Sequence, residues 1–122
     1  MTKIVYNSRY GGFSLSKAAI LRYAELKGIT LYQRIDDRFK AFGDRFANWY
    51  LDEACTKLWP DRGINRADPV LVKVVEELGP AANGAYAELC IADVPAGTRY
   101  RIDEYDGNEA VMTVEDYEWS IA

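Results

Sequence analysis

The sequence predicts a single α+β domain: a small mixed sheet with a strand–loop–helix–strand unit at the N-terminus, a second amphipathic helix and a C-terminal antiparallel meander. Three observations predict it. The first 32 residues run from a β-branched stretch (Lys3-Ile4-Val5-Tyr6) through paired glycines to a helix-favouring segment, then to a second strand-like run, Ile29-Thr30-Leu31-Tyr32. Asp68-Pro69 opens a segment whose apolar residues recur at helical spacing. From Ala87 onward apolar and polar residues alternate, punctuated by Pro95-Ala96-Gly97 and Asp106-Gly107. At 122 residues the chain is one domain, 1–122, large enough to bury its own core.

Each element follows from its residues. Gly11-Gly12 breaks the first strand, and Ser14 is the expected cap of the helix that follows, with Ser16 as the competing choice. Residues 15–27 are rich in Ala, Leu, Lys and Glu, and Gly28 suits the position after the last turn, where a positive φ is wanted. Leu15, Ala19 and Leu26 lie on one side of this helix and Ile20, Tyr23 and Ala24 on another, so it is expected to be covered twice, by the sheet and by a second element or subunit. The order strand, helix, strand suggests a right-handed βαβ unit with a parallel pair. Residues 36–66 form a variable, aromatic-rich middle. Phe39, Phe42, Phe46, Trp49 and Tyr50 follow a helical stripe that Gly43 weakens, and core packing or an exposed aromatic platform are its two readings.

In the second helix Val70, Leu71, Val74, Val75 and Leu78 share one face, Lys73, Glu76 and Glu77 the other, and Gly79-Pro80 stops it. Ala81 to Gly84 make a turn. Ala87, Leu89 and Ile91 alternate with Glu88 and Cys90, and Arg99 to Tyr105 alternates again before the Asp106-Gly107 hairpin returns the chain through Ala110 to Val114.

Composition excludes several kinds of chemistry. The chain contains no histidine, so no Ser-His or Cys-His dyad and no imidazole metal ligand can operate. The two cysteines, Cys55 and Cys90, lack CxxC spacing in a chain expected in the cytosol; Cys90, in an apolar strand-like run, is expected to be a buried free thiol, and Cys55 has no assigned place. No apolar run approaches the length of a membrane span, and no signal-peptide pattern opens the sequence. Charge is unevenly spread. Residues 1–66 carry 12 Lys/Arg against 7 Asp/Glu, a net of +5, and residues 67–122 carry 3 against 12, a net of −9. This predicts head-to-tail attraction within the fold or between subunits, and the overall acidity argues against binding duplex DNA.

The strand–glycine–helix junction is the principal candidate site. Gly11 and Gly12 permit backbone shapes that aim successive N–H groups at one anion, and the helix start that Ser14 caps adds its own. Arg9 offers a bidentate grip on phosphate, and Tyr10 and Phe13 could sandwich a base or ribose. The plainer reading is a tight turn with a solvated Arg9 and Phe13 as a hydrophobic staple. Arg99 and Arg101 share one face of a strand and would hold phosphates or pair across strands. Asn83, beside Gly84, and Tyr86 would reach a ligand or simply build the turn. Asp103, Glu104, Asp106 and Glu109 lack the order of a calcium loop and read as a solvated acidic hairpin. Asp36-Asp37 carries no more. No catalytic residue, metal ligand or cofactor is assigned, so a binder is expected rather than an enzyme.

The residues also resemble a family. The run Lys3-Ile4-Val5-Tyr6-Asn7 followed by Tyr10 to Ser16, with Ala24-Glu25-Leu26-Lys27-Gly28, resembles small bacteriophage and prophage proteins. The likeness returns at Arg66-Ala67-Asp68-Pro69, Val74 to Gly79, Ala82-Asn83-Gly84, Ala87-Glu88-Leu89 and Glu104-Tyr105-Asp106-Gly107, leaving 36–65 unmatched. The group looks similar to phage anti-defence sponges, in particular the Thoeris anti-defence proteins. That resemblance implies a homo-oligomer in the cytoplasm of an infected bacterial host. It would sequester a small phosphorylated nucleotide, a cyclic ADP-ribose isomer or a cyclic oligonucleotide, without cleaving it. The acidic run Glu115-Asp116-Tyr117-Glu118-Trp119 departs from the more basic C-terminal segment of that group. A phage accessory protein acting through protein contacts, and a small metal-dependent nucleotide hydrolase, are the alternatives.

Overall fold

The first strand, β1 (Thr2–Asn7), has the β-branched and aromatic residues that favour extended backbone, and it finds its partner late in the chain. It pairs antiparallel with β4 (Leu89–Val94), Val5 opposite Ile91 and Asn7 opposite Leu89. The computed structural model describes residues 2–35, 48–59 and 63–113. They form a small α+β fold in the order β1, α1 (Lys17–Lys27), β2 (Tyr32–Arg34), β3 (Asn48–Tyr50), α2 (Pro69–Leu78), β4, β5 (Tyr100–Tyr105) and β6 (Asn108–Thr113).

The expected parallel pair of β1 and β2 does not form. β2 pairs antiparallel with β3, Gln33 opposite Trp49. The reason lies in the edges of β1. One edge carries the β4 ladder, and on the other the Val5 N–H donates to Arg66 O at 2.9 Å and the Asn7 N–H to Glu109 Oε1 at 2.9 Å. No donor at the centre of β1 is left for β2. The C-terminal meander is likewise only half formed. β5 and β6 make the expected hairpin through Asp106-Gly107, both at positive φ (52° and 87°), as a two-residue turn of this kind requires. β4 stays with β1, and the Pro95–Thr98 turn carries the chain off to the hairpin.

Helix α1 is capped by Ser16, not Ser14: the Ser16 hydroxyl accepts from Ala19 N–H at 3.1 Å and Gly28 closes the other end at φ 70°. The elements packed most closely on it are α2 and the short 3-10 turn Gly79–Ala82 after α2, rather than the expected sheet, so no partner subunit is needed to bury Ala19, Ile20, Tyr23 and Ala24. Helix α2 begins at Asp68, whose Oδ1 accepts from Val70 N–H at 2.9 Å, with Pro69 in the first turn. Leu71, Val72, Val74 and Val75 are buried and Lys73, Glu76 and Glu77 exposed. The helices are pinned at one point: Tyr23 donates to Asp68 Oδ2 at 2.7 Å and the Lys27 ammonium reaches the same oxygen at 3.0 Å. Burial and then the Asp68 carboxylate push the Tyr23 hydroxyl well above its usual pKa. Burial alone would raise Asp68, but the hydrogen bonds from Tyr23, Lys27 and the Val70 N–H outweigh it and hold the carboxyl below its ordinary range.

Of the aromatic middle, Trp49 is a buried strand residue rather than part of a helical stripe. Trp59 packs on Tyr23 with ring centroids 5.9 Å apart. These two belong to the core, while Phe39, Phe42 and Phe46 lie outside the described residues. Cys55 sits at φ 56° in a turn that Asp52 closes by accepting from the Thr56 and Lys57 N–H groups, and both cysteines are free. The two charged halves do attract within one chain. Lys3–Glu76 (2.9 Å), Arg22–Glu77 (3.2 Å), Lys27–Asp68 (3.0 Å) and Arg66–Glu109 (2.6 Å) each join the basic half to the acidic one.

Candidate ligand-binding site

Three loops meet at the end of β1, and one buried side chain ties them together. Asn7 is fully buried. Its Nδ2 donates to Arg9 O (2.7 Å) in the glycine loop and to Gly107 O (2.8 Å) in the β5–β6 turn, and its Oδ1 accepts from Glu88 N–H (2.8 Å) at the start of β4. The Asn7 N–H in turn donates to Glu109, which is gripped end-on by Arg66 through two bonds of 2.6 and 2.9 Å. The Arg66 guanidinium lies 3.5 Å from the centre of the Phe13 ring. A paired buried charge, a stacked aromatic and a saturated amide thus fix the loops from below.

This arrangement corrects several expectations. Phe13 is only 4% exposed and stacked under Arg66, so it cannot sandwich a ligand. The Gly11 N–H donates to Asp106 O at 3.2 Å, which removes it from any anion nest. Gly107 packs directly on the backbone nitrogens of Gly11 and Gly12, so that a Cβ there would collide with both. The glycines serve a close approach of two loops rather than a phosphate. Ser14 is likewise taken up in packing. Its carbonyl accepts from Gly84 N–H at 3.0 Å and its side chain lies against the Gly84 Cα. Asn83 turns its Oδ1 to Leu89 N–H at 2.9 Å, building the turn. Glu109, read as part of a solvated hairpin, is the buried partner of Arg66.

What remains at the surface is aromatic. Tyr10 is 58% exposed, Tyr86 50% and Tyr105 77%. Tyr10 lies in the glycine loop, Tyr86 in the loop before β4 and Tyr105 at the end of β5. Tyr10 and Tyr105 are edge-to-face at 6.4 Å and 76°, and the Tyr86 Cβ abuts the Gly11 Cα. Arg9, exposed beside Tyr10, lines an open groove of about 510 Å³ that runs along Ala87 to Ile91 and is walled by Val75, Gly79 and Pro80 of α2 and its end. In that groove the Cys90 thiol lies 3.2 Å from the Ser8 hydroxyl, and burial followed by the neighbouring Cys90 raises the pKa of Tyr6. Arg99 and Arg101 stand toward the far end of the β5–β6 hairpin, away from this cluster, with Arg101 paired to Asp103 of its own strand at 2.8 Å. Of the sequence-derived candidates the structure therefore gathers Arg9, Tyr10, Gly11, Gly12 and Tyr86, and adds Tyr105.

Tyr105 was legible only as the residue before a hairpin turn. Asn7, Arg66 and Glu109 carried little local signal: apart from the Asn7 bond to Arg9 O, two residues on, the bonds that tie them to one another and to Gly107 and Glu88 span between 43 and 102 residues of chain. Among the described residues no group of three or more His, Cys, Asp or Glu could hold a metal ion, and no helix is long and apolar enough to cross a membrane. Comparison with protein-family models, curated proteins and solved structures gave no match.

Proposed function

We propose that this chain is a binding protein that sequesters a small phosphorylated nucleotide without altering it. The base stacks on the Tyr10–Tyr86–Tyr105 rim and the phosphates pair with Arg9. The observation that carries this reading is the exposed Tyr10–Tyr105 pair, with exposed Tyr86 against the neighbouring Gly11, on a junction tied together by Asn7, Arg66 and Glu109. Exposed tyrosines offer planar faces at little entropic cost, and a rigid support holds the backbone that carries them in place before the ligand arrives. A guanidinium at the rim suits a phosphate, which it can grip through two donors at once. The resemblance to phage anti-defence sponges supplies the setting: a cyclic ADP-ribose isomer or a cyclic oligonucleotide immune signal, held in the cytoplasm of the infected host by a homo-oligomer.

The test is thermal unfolding of the purified protein against a panel of cyclic ADP-ribose isomers and cyclic di- and trinucleotides, with each hit recovered by heat and weighed by mass spectrometry. A rise in Tm and return of unaltered ligand support sequestration, since a ligand that binds only the folded state stabilises it by mass action. Ligand returned as hydrolysis products would support the metal-dependent hydrolase instead.

A further inference from the structure

Arg99 and Arg101 stand away from the rim of their own chain, and the strand that follows Arg99 has an open edge. β5 is paired along one side by β6, its one close neighbour among the described elements. The direction of its backbone groups follows from the hairpin. Tyr105 and Asn108 flank a two-residue turn and so exchange backbone bonds with each other. In an antiparallel pair these directions alternate, so the N–H and C=O groups of Tyr100, Ile102 and Glu104 face away from β6.

The side chains of this edge complement a second copy of it. Two antiparallel β5 strands related by a two-fold axis at Ile102 set Ile102 against the partner's Ile102 and Tyr100 against the partner's Glu104. All of these residues have outward-facing backbone groups, so the main-chain bonds close symmetrically. On the opposite face Arg101 falls against the partner's Asp103, and Arg99 against the partner's Tyr105. Like charges meet only on diagonals, Arg101 with the partner's Arg101 and Asp103 with the partner's Asp103, roughly 7–8 Å apart against about 4.5–5.5 Å for the direct unlike pairs. Charges that merely guard a lone edge would serve in any order. Here both arginines precede Ile102 and both carboxylates, Asp103 and Glu104, follow it, an order that favours this register.

The pairing also reaches the rim. Arg99 and Tyr105 share one face of the strand, the face on which Tyr105 meets Tyr10. The two-fold axis is perpendicular to the paired strands, so both copies present that face on the same side, and the partner's Arg99 arrives beside Tyr105. One copy brings Arg9 to a rim flanked by the exposed carboxylates Glu88, Glu104 and Asp106. A second guanidinium at Tyr105 suits a ligand that carries more than one phosphate. We propose that two copies pair antiparallel through β5 about Ile102 and that Arg99 of each completes the nucleotide site of the other. The role of Arg99 rests on the rim reading; the interface does not.

The experiment first reads the oligomeric state of the full chain by sedimentation over a range of concentrations, for the parent, Arg101→Asp, Asp103→Arg and the double swap. Both side chains are exposed, so the substitutions spare the core. The expected result is a dimer that each single substitution weakens about tenfold or more and the swap restores. The Ile102 amide should be protected from exchange in the dimer. Nucleotide binding is then measured with the panel of cyclic ADP-ribose isomers and cyclic di- and trinucleotides as probes. Arg99→Ala should lower affinity about tenfold or more. Mixed with Tyr105→Ala under conditions where both are dimers, it should regain parental affinity at about one site in four, because only the mixed dimer joins an intact Tyr105 to an intact Arg99. A monomer at every concentration, a dimer indifferent to the single substitutions, or an unprotected Ile102 amide would overturn the proposal, whether or not a nucleotide raises the Tm. A mixture that binds no better than its components would overturn the shared site. A panel without a hit would overturn the role of Arg99 together with the rim reading, and the charge swap alone would then decide the interface.

Discussion

Asn7 uses both ends of its side-chain amide to hold the backbone of three other segments, and it does so out of contact with water. Replacing it with alanine strands two carbonyls and one N–H, each costing about 1–3 kcal/mol when buried unpaired. Asn7→Ala is therefore expected to lower unfolding free energy by about 3–5 kcal/mol in urea titrations. Arg66 and Glu109 make the complementary case. Arg66→Met leaves a buried carboxylate without its cation and should cost about 3–5 kcal/mol. Adding Glu109→Gln, which keeps an acceptor for the Asn7 N–H, should recover part of that loss, a coupling that a double-mutant cycle reads directly. None of this was visible locally. Asn7 ends a strand and Glu109 follows an acidic turn, positions where a solvated side chain is the ordinary outcome, and only the folded chain brings Glu109 between the Asn7 N–H and Arg66.

At the scale of elements, turn chemistry and the cap of α2 were readable, the cap of α1 was placed two residues early at Ser14, and strand partnership was not readable. Asp68-Pro69, the apolar stripe of α2, Gly28 and Asp106-Gly107 all act through neighbours within a few residues, and each does in the structure what its spacing predicts. The partner of β1 lies some 85 residues away, and its choice depends on both of its edges being filled by groups that sequence does not place beside it. The Asp68 junction carries a pH signature. Its carboxyl is held below the ordinary range, so its contribution to stability is fully present above the unfolded value of about 3.9 and is lost as pH falls through the folded value. Asp68→Asn should flatten this acid limb in a series of unfolding curves between pH 6 and 2. The Tyr23 hydroxyl is shifted the other way, so its contribution is present below about pH 10 and lost as pH rises further. The loop–turn contact gives a sharper comparison. Gly107→Ala meets both positive φ and the backbone of Gly11 and Gly12, whereas Gly12→Ala meets positive φ and open space. Gly12→Ala should cost about 1–2 kcal/mol, the backbone strain alone, and Gly107→Ala distinctly more, as thermal unfolding would show.

Over the whole molecule the uneven charge of the sequence becomes a set of ties between its halves, and these ties differ in kind. Lys3–Glu76 and Arg22–Glu77 are exposed and will be screened as salt rises, while Arg66–Glu109 is shielded and will not. The same division applies to the candidate site. Its support is interior and largely long-range, hidden from sequence, while Arg9 and Tyr10 were singled out because a cation and an aromatic stand beside a glycine pair, and Tyr86 because it follows the Asn83-Gly84 turn. The acidic run at 115–119, where the phage resemblance breaks, lies outside the described residues.

The most direct test of the account pairs the nucleotide panel with Tyr10→Ala and Tyr105→Ala. Both side chains are mostly exposed, so each variant should keep its unliganded stability to within about 0.5 kcal/mol. If the rim binds the base, a nucleotide will raise the Tm of the parent protein. Each substitution will then weaken binding by about 5- to 150-fold, the worth of one stacked base at about 1–3 kcal/mol. A nucleotide that binds both variants as tightly as the parent, or a panel in which none shifts the Tm, would contradict it.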